Sequence, residues 1–298
     1  MLRFYRLLKM KSFFIAILCT MAVILSLPSC SGHAPAVTAD YELVTFDTLS
    51  IDTVCTLFRN YDRPACHLVI RLDKPAAGKQ PGYAGALEKA LTQVPREGLL
   101  EEDAKGSLVT MSYAYVRQFF LQYLLDGKEA IDSYNGDVDE ASTWMNYEEN
   151  LEGRVMYNAD GFIGYRFTIN SYSGGAHGNT EVKNCVFDVA QKRLLTLADL
   201  IEPSKQSSID ALVREELMKE FNYKSQDDLD RESSFFDFSD VKATDKFMIG
   251  TTGVSWTFDP YEIASYSMGV IEVIVPWHAL KPLMSATSPL ALLAEKQD

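Results

Sequence analysis

Histidine is scarce in this chain, with four in 298 residues, and cysteine is nearly as rare, with five. No CxxC, HxxxH or HExxH spacing occurs among them, so the usual zinc-ligand patterns are missing. The P-loop and the dinucleotide glycine fingerprint are missing too. The nucleophile elbow GxSxG fails at its best approach, because Ser173 is flanked two residues away by Ser171 and Gly175. Gly136 would need an acidic residue five positions earlier to open a calcium loop, and Ile131 stands there. Basic residues are also short: 28 Lys and Arg against 41 Asp and Glu, a formal charge of −13. That balance argues against nucleic acid, whose binding needs cations to replace counterions, and against a polybasic membrane-surface mode. It permits electrostatic steering of a cationic partner, and it also keeps a secreted protein soluble. After the first 30 residues no apolar run is long enough to cross a bilayer.

What is present begins with an address. Arg3, Arg6, Lys9 and Lys11 precede an apolar run from Phe13 to Leu25, the order of a secretory leader. Leu27-Pro28-Ser29-Cys30 resembles a bacterial lipobox. The expectation is a leader over 1–29, lipidation at Cys30 and a tether over 30–39. The lipid would hold the chain on the envelope membrane by about 0.8 kcal/mol per buried methylene. No acidic run follows Cys30 before Asp40, which favours a periplasm-facing anchor. The remaining chain, in a sequence 47% hydrophobic, is long enough for one large domain or two small ones.

Three cysteines fall in the folded part. Cys55 and Cys66 flank a loop with Asn60, Asp62 and Pro64 between two apolar runs, a candidate cross-strand disulfide in an oxidising compartment. Cys185 reads as a small buried hydrophobe.

The hydrophobic pattern predicts an α+β fold of largely antiparallel sheets with a few packed helices. Strands are expected over 41–56, 67–72, 151–157, 162–172, 182–189, 246–249, 254–258 and 270–275. Asp160-Gly161 and Thr252-Gly253 sit where hairpin turns belong. Helices are expected over 83–94, stopped by Pro95, over 104–125, from a Ser207 cap to about Phe221, and over 277–284. The polar stretch 132–142 reads as the connection between two modules, 40–149 and 150–298.

One run couples two glycines to a histidine: Tyr172-Ser173-Gly174-Gly175-Ala176-His177-Gly178-Asn179. Gly174 and Gly175 allow a sharp turn, and His177 is a ligand-binding donor, a general base, or a pin for the loop. A second run, Asp259-Pro260-Tyr261-Glu262-Ile263-Ala264-Ser265-Tyr266, follows a strand and carries two tyrosines suited to stacking or an interface. The acidic group Asp227, Asp228, Asp230 and Glu232 is a solvated face or a docking patch for a basic protein. The ligand-binding candidates are therefore Gly174, Gly175, His177, Asn179, Tyr261, Glu262 and Tyr266. No residue stands out as catalytic, none as a metal ligand, and no cofactor is implied.

Three ordered segments resemble the RsiV-like extracytoplasmic domains, tandem modules found in lysozyme-sensing anti-sigma factors and in some peptidoglycan deacetylases. They are Tyr172 to His177, then Phe187-Asp188 with Leu195 to Leu200, then Phe258 to Tyr266 with Gly269 leading into Val273-Ile274-Val275-Pro276-Trp277. The resemblance spans residues 150–285, with 41–150 as a looser N-terminal module. It implies an envelope-binding domain whose ligand is a cationic, lysozyme-like hydrolase or peptidoglycan. No anti-sigma segment precedes it here and no deacetylase domain follows, so neither activity is carried over. The alternative is an envelope hydrolase using His177 with Asp259 or Glu262.

Overall fold

The computed structural model describes residues 41–58, 64–95, 106–136, 138–225, 228–229 and 234–296. The leader, Cys30, the tether and most of the 227–232 acidic group lie outside the described residues.

A six-stranded sheet runs in the order β1 (Phe46–Thr56), β2 (Ala65–Pro75), β3 (Tyr147–Ala159), β4 (Phe162–Tyr172), β5 (Asn179–Asp188), β6 (Arg193–Leu194). All neighbours are antiparallel except β2 and β3, which pair in parallel from Cys66↔Tyr147 to Leu72↔Gly153. The expected boundary at 149/150 lies within β3. Period-two alternation decides the faces. On β2, Cys66, Leu68, Ile70 and Leu72 are buried while His67 and Arg71 are exposed. The buried row packs with helices α1 (Ala84–Leu91) and α2 (Leu108–Ser133), which lie in the crossover, through Leu87, Leu91, Leu108 and Met111. Ser107 caps α2 by accepting from the Thr110 backbone N–H. This helix runs eight residues past the expected end, because Asp126 to Ser133 contains no proline and its one glycine, Gly127, is packed against Leu57. A short α3 (Val138–Ser142) completes the connection.

The β3–β4 hairpin turns on Asp160 and Gly161 at φ +53° and +82°, the pair of positive angles that a two-residue turn requires. After β6 come α4 (Leu197–Leu200) and α5 (Gln206–Glu220). The Ser207 cap is not formed. A 3₁₀ turn from Pro203 to Lys205 runs straight into α5, so Ser207 is already inside helix. Asp210 instead accepts from the Ala243 backbone N–H at 2.9 Å and from Gln206 at 2.8 Å, while 6% exposed.

A second, three-stranded antiparallel sheet follows: β7 (Phe247–Ile249), β8 (Gly253–Phe258), β9 (Ile271–Pro276). Val254, Trp256 and Phe258 pair with Val275, Val273 and Ile271, and all share one core with Ile209, Val213 and Leu217 of α5. Full burial of each such side chain is worth about 1.5–3 kcal/mol. The chain closes with α6 (Trp277–Leu280) and α7 (Ala291–Lys296).

The two sheets meet along a polar seam. Arg166 of β4 donates to Asn184 of β5 at 2.8 Å and to Glu272 of β9 at 2.8 Å. Asn184 donates to Thr257 of β8 at 2.9 Å, and Ser255 donates to Glu272 at 2.7 Å. Burial opposes ionisation of Glu272, but these bonds outweigh it and hold the carboxyl below its ordinary range.

Candidate functional site

The β4–β5 loop and the turn after β8 are far apart in sequence, and the fold brings them together. Gly174 and Gly175 both sit at positive φ, +83° and +93°. A side chain on Gly174 would come within 2.6 Å of the Trp144 carbonyl, whereas Gly175 faces open space. Tyr172 donates to the Gly175 carbonyl at 3.0 Å and ties the loop to its own strand.

His177 emerges from this loop exposed to solvent. Its Nδ1 lies 2.9 Å from the Gly178 carbonyl, which can only accept, so Nδ1 carries the proton. Nε2 then accepts from the Tyr261 hydroxyl at 3.3 Å. The Tyr266 ring stacks on the imidazole with centroids 3.9 Å apart and planes 23° apart, and its hydroxyl donates to the Gly178 carbonyl at 2.9 Å. Tyr261 and Tyr266 lie 5.5 Å apart. The candidates His177, Tyr261 and Tyr266 therefore form one aromatic cluster, with Tyr261 54% exposed at its outer side.

The turn is held from beneath. Tyr261 stands at φ +68°, a left-handed angle that costs a side-chain-bearing residue about 1–2 kcal/mol. Glu262 accepts from the Asp259 backbone N–H at 2.9 Å, and the Glu262 N–H returns a bond to the Asp259 carbonyl at 3.0 Å. Lys246 Nζ reaches both the Asp259 and Glu262 carboxylates at 3.0 Å. Its partial burial disfavours the charge, but the two carboxylates win and raise its pKa above the ordinary lysine value. Asp259 also accepts from the Val182 backbone N–H at 2.7 Å, pinning the turn to β5. Glu262 thus positions the tyrosines, and its carboxylate is spent on Lys246 and the turn. Asn179 starts β5 opposite Ser171, at the foot of the loop.

Neither Asp259 nor Glu262 hydrogen-bonds to His177, whose ring nitrogens are occupied by a carbonyl and a tyrosine hydroxyl. The premise of the hydrolase alternative, a histidine served by those carboxylates, is not met by this geometry. Among the described residues no three His, Cys, Asp or Glu side chains converge as a metal-ligand set. Cys55 and Cys66 face each other directly across β1 and β2 as free thiols. Burial, with Cys55 beside it, pushes the Cys66 thiol up to about 12.

Two contributors escaped the sequence reading. Lys246 carries no motif and is recognisable only once its two carboxylates converge on it. Trp144, 55% exposed and touching the loop through its backbone, follows a polar stretch that reads as a linker.

A family model described as "Protein of unknown function (DUF3298)" matches residues 198–278, the stretch that includes the tyrosine turn. The peptidoglycan-N-acetylmuramic acid deacetylase PdaC of Bacillus subtilis (strain 168) is 23% identical over 150 residues. That match covers 50% of this chain and 32% of the deacetylase, so the chain spans about a third of that curated relative. A crystal structure of a DUF3298 family member from Bacteroides fragilis NCTC 9343 superposes with a TM-score of 0.74 at 20% identity, covering 85% of this chain and 98% of that one. A DUF3298 family protein from Pseudomonas aeruginosa PAO1 gives 0.54 at 19% identity, covering 82% and 96%. The α+β fold is therefore shared with these structures.

Proposed function

We propose that this chain is a non-catalytic binding module of the bacterial cell envelope, lipid-anchored at Cys30, whose partner is a cationic, lysozyme-like wall hydrolase. The observation that carries the reading is the His177–Tyr261–Tyr266 cluster: exposed aromatic surface held rigid by a strained turn, on a chain of net charge −13. Rigid tyrosines lose little entropy on contact and are frequent anchors of protein interfaces. Net acidity steers a basic partner toward them. The RsiV-like resemblance and the likeness to a peptidoglycan deacetylase both support a wall context.

The test is titration of lysozyme onto the immobilised protein at two salt concentrations, with muropeptide fragments as the parallel arm. Saturable lysozyme binding that weakens with salt and falls at least tenfold in Tyr261→Ala and His177→Ala is expected. Binding that ignores salt, or that both variants leave unchanged, overturns the assignment. Muropeptide binding without lysozyme binding moves the module to peptidoglycan.

A further inference from the structure

Beside the aromatic cluster lies a surface it does not explain. The three-stranded sheet covers the β4–β5 side of the large sheet's second face, and over β2, β3 and β4 that face carries an open groove of about 360 Å³. This is at the lower end of the volume range of small-ligand sites. The strand register builds its floor from two cross-strand rows. One runs His67, Glu148, Tyr172; the other runs Val69, Asn150, Asn170, Thr180. Residues of both rows share one face because they occupy alternate positions on each strand. Tyr266 closes the groove at the edge of the second sheet.

The polar groups here are oriented ahead of any ligand. Thr180 Oγ1 donates to Asn170 Oδ1 at 2.8 Å, which fixes that carboxamide and turns its N–H groups to other acceptors. His67 Nε2 is held by Asp52 at 2.7 Å, leaving Nδ1 uncommitted by that contact. The Asn150 Oδ1 is buried with no hydrogen-bond partner, one of two such side-chain atoms among the described residues, the other being the Tyr123 hydroxyl. A buried acceptor left unmatched is costly, and this one belongs to a groove-lining residue while being itself closed to solvent.

We propose that this groove is a binding site for a neutral oligosaccharide. The carboxamides of Asn150 and Asn170 offer N–H donors side by side, the match for neighbouring sugar hydroxyls or an acetamido oxygen. Tyr172 and Tyr266 supply flat apolar surface at the rim. The lining contains no lysine or arginine, and the Glu148 carboxylate stands on its face, so anionic chains and phosphates are repelled. Strand addition is ruled out because β2, β3 and β4 are paired on both edges. The groove borders the cluster assigned to protein binding: Tyr266 is common to both and Tyr172 holds the loop that carries His177, whereas Asn150 and Asn170 belong to the groove alone.

The test is thermal denaturation of the full chain with N-acetylglucosamine tetrasaccharide, and with the glucose tetrasaccharide as a second arm. A saturable rise in Tm at millimolar sugar is expected, because a ligand of the folded state alone stabilises by mass action. Binding of the acetylated tetramer alone assigns recognition to the acetamido group, and binding of both assigns it to the hydroxyls; either supports the site. Asn170→Ala and Tyr172→Ala should each lower affinity at least tenfold. Asn150→Leu should raise Tm without sugar and abolish the sugar-dependent rise, a combination that a purely structural Asn150 would not produce. No rise with either sugar, a rise unchanged in all three variants, or a rise with oligolysine in place of sugar overturns the proposal. Lysozyme binding measured on the Asn150 and Asn170 variants, which leave the aromatic cluster intact, reports separately on that cluster.

Discussion

Tyr261 offers a test in which the usual order of two substitutions reverses. At an ordinary position alanine is more stable than glycine by about 0.5–1 kcal/mol, because glycine loses more freedom on folding. At φ +68° the left-handed backbone penalises any side chain by about 1–2 kcal/mol and spares glycine. Tyr261→Ala and Tyr261→Gly lose the same ring contacts, the 3.3 Å bond to His177 and the packing 5.5 Å from Tyr266. Those contacts cancel between the two variants, and the strain and entropy differences remain. Setting the middle of the first range, about 1.5 kcal/mol, against the middle of the second, about 0.75 kcal/mol, leaves glycine ahead by about 0.75 kcal/mol. Urea denaturation with a common m-value reads this as a higher midpoint for Tyr261→Gly. A midpoint equal to or below that of Tyr261→Ala refutes the claim that Lys246, Asp259 and Glu262 hold a strained turn.

Four further outcomes follow from the same geometry. Gly174→Ala meets both a positive φ and the Trp144 carbonyl and should lose about 2–3 kcal/mol by chemical denaturation, against about 1 kcal/mol for Gly175→Ala in open space. Asp210→Ala should cost about 2–3 kcal/mol, since it orphans the Ala243 N–H in a buried site. Glu149 has its pKa raised, first by burial and also by nearby Glu181, against a hydrogen bond from Tyr115; the folded state then binds more protons than the unfolded state above the ordinary glutamate value, so stability falls as pH rises from about 4.5. Glu149→Gln should remove that fall in a series of denaturation midpoints against pH. Oxidation of the full chain should consume the Cys55 and Cys66 thiols as an intramolecular bridge and raise stability by about 2–3 kcal/mol, read by thiol titration and thermal denaturation.

Local signals in the sequence carried far. Asp160-Gly161 announced its hairpin because only such a pair tolerates two positive angles. Leu87, Leu91, Leu108 and Met111 marked helix faces by their spacing. The parallel pairing of β2 with β3 has no local signal, since nothing in either strand names its neighbour across a long connection. Ser207 looks like a cap in the sequence but is not one, because a Pro203 3₁₀ turn continues smoothly into helix. At the site, the aromatic residues were visible as motifs, and their convergence was not. Lys246 has meaning only through Asp259 and Glu262, and Asn150, Asn170 and Thr180 look like ordinary solvent-facing strand positions until the register aligns them.

The parallel pair also sets an order of events during synthesis. The β1–β2 hairpin is complete once residue 75 has emerged, but the edge of β2 that will pair with β3 must wait until residues 76–146 have been made. Until then Leu68, Ile70 and Leu72 sit on a strand with an open ladder, the arrangement most prone to pairing with the wrong chain. Closing that gap costs loop entropy before any contact repays it, so this step is expected to limit folding speed, and α1 and α2, formed within the connection, are the elements able to shorten it.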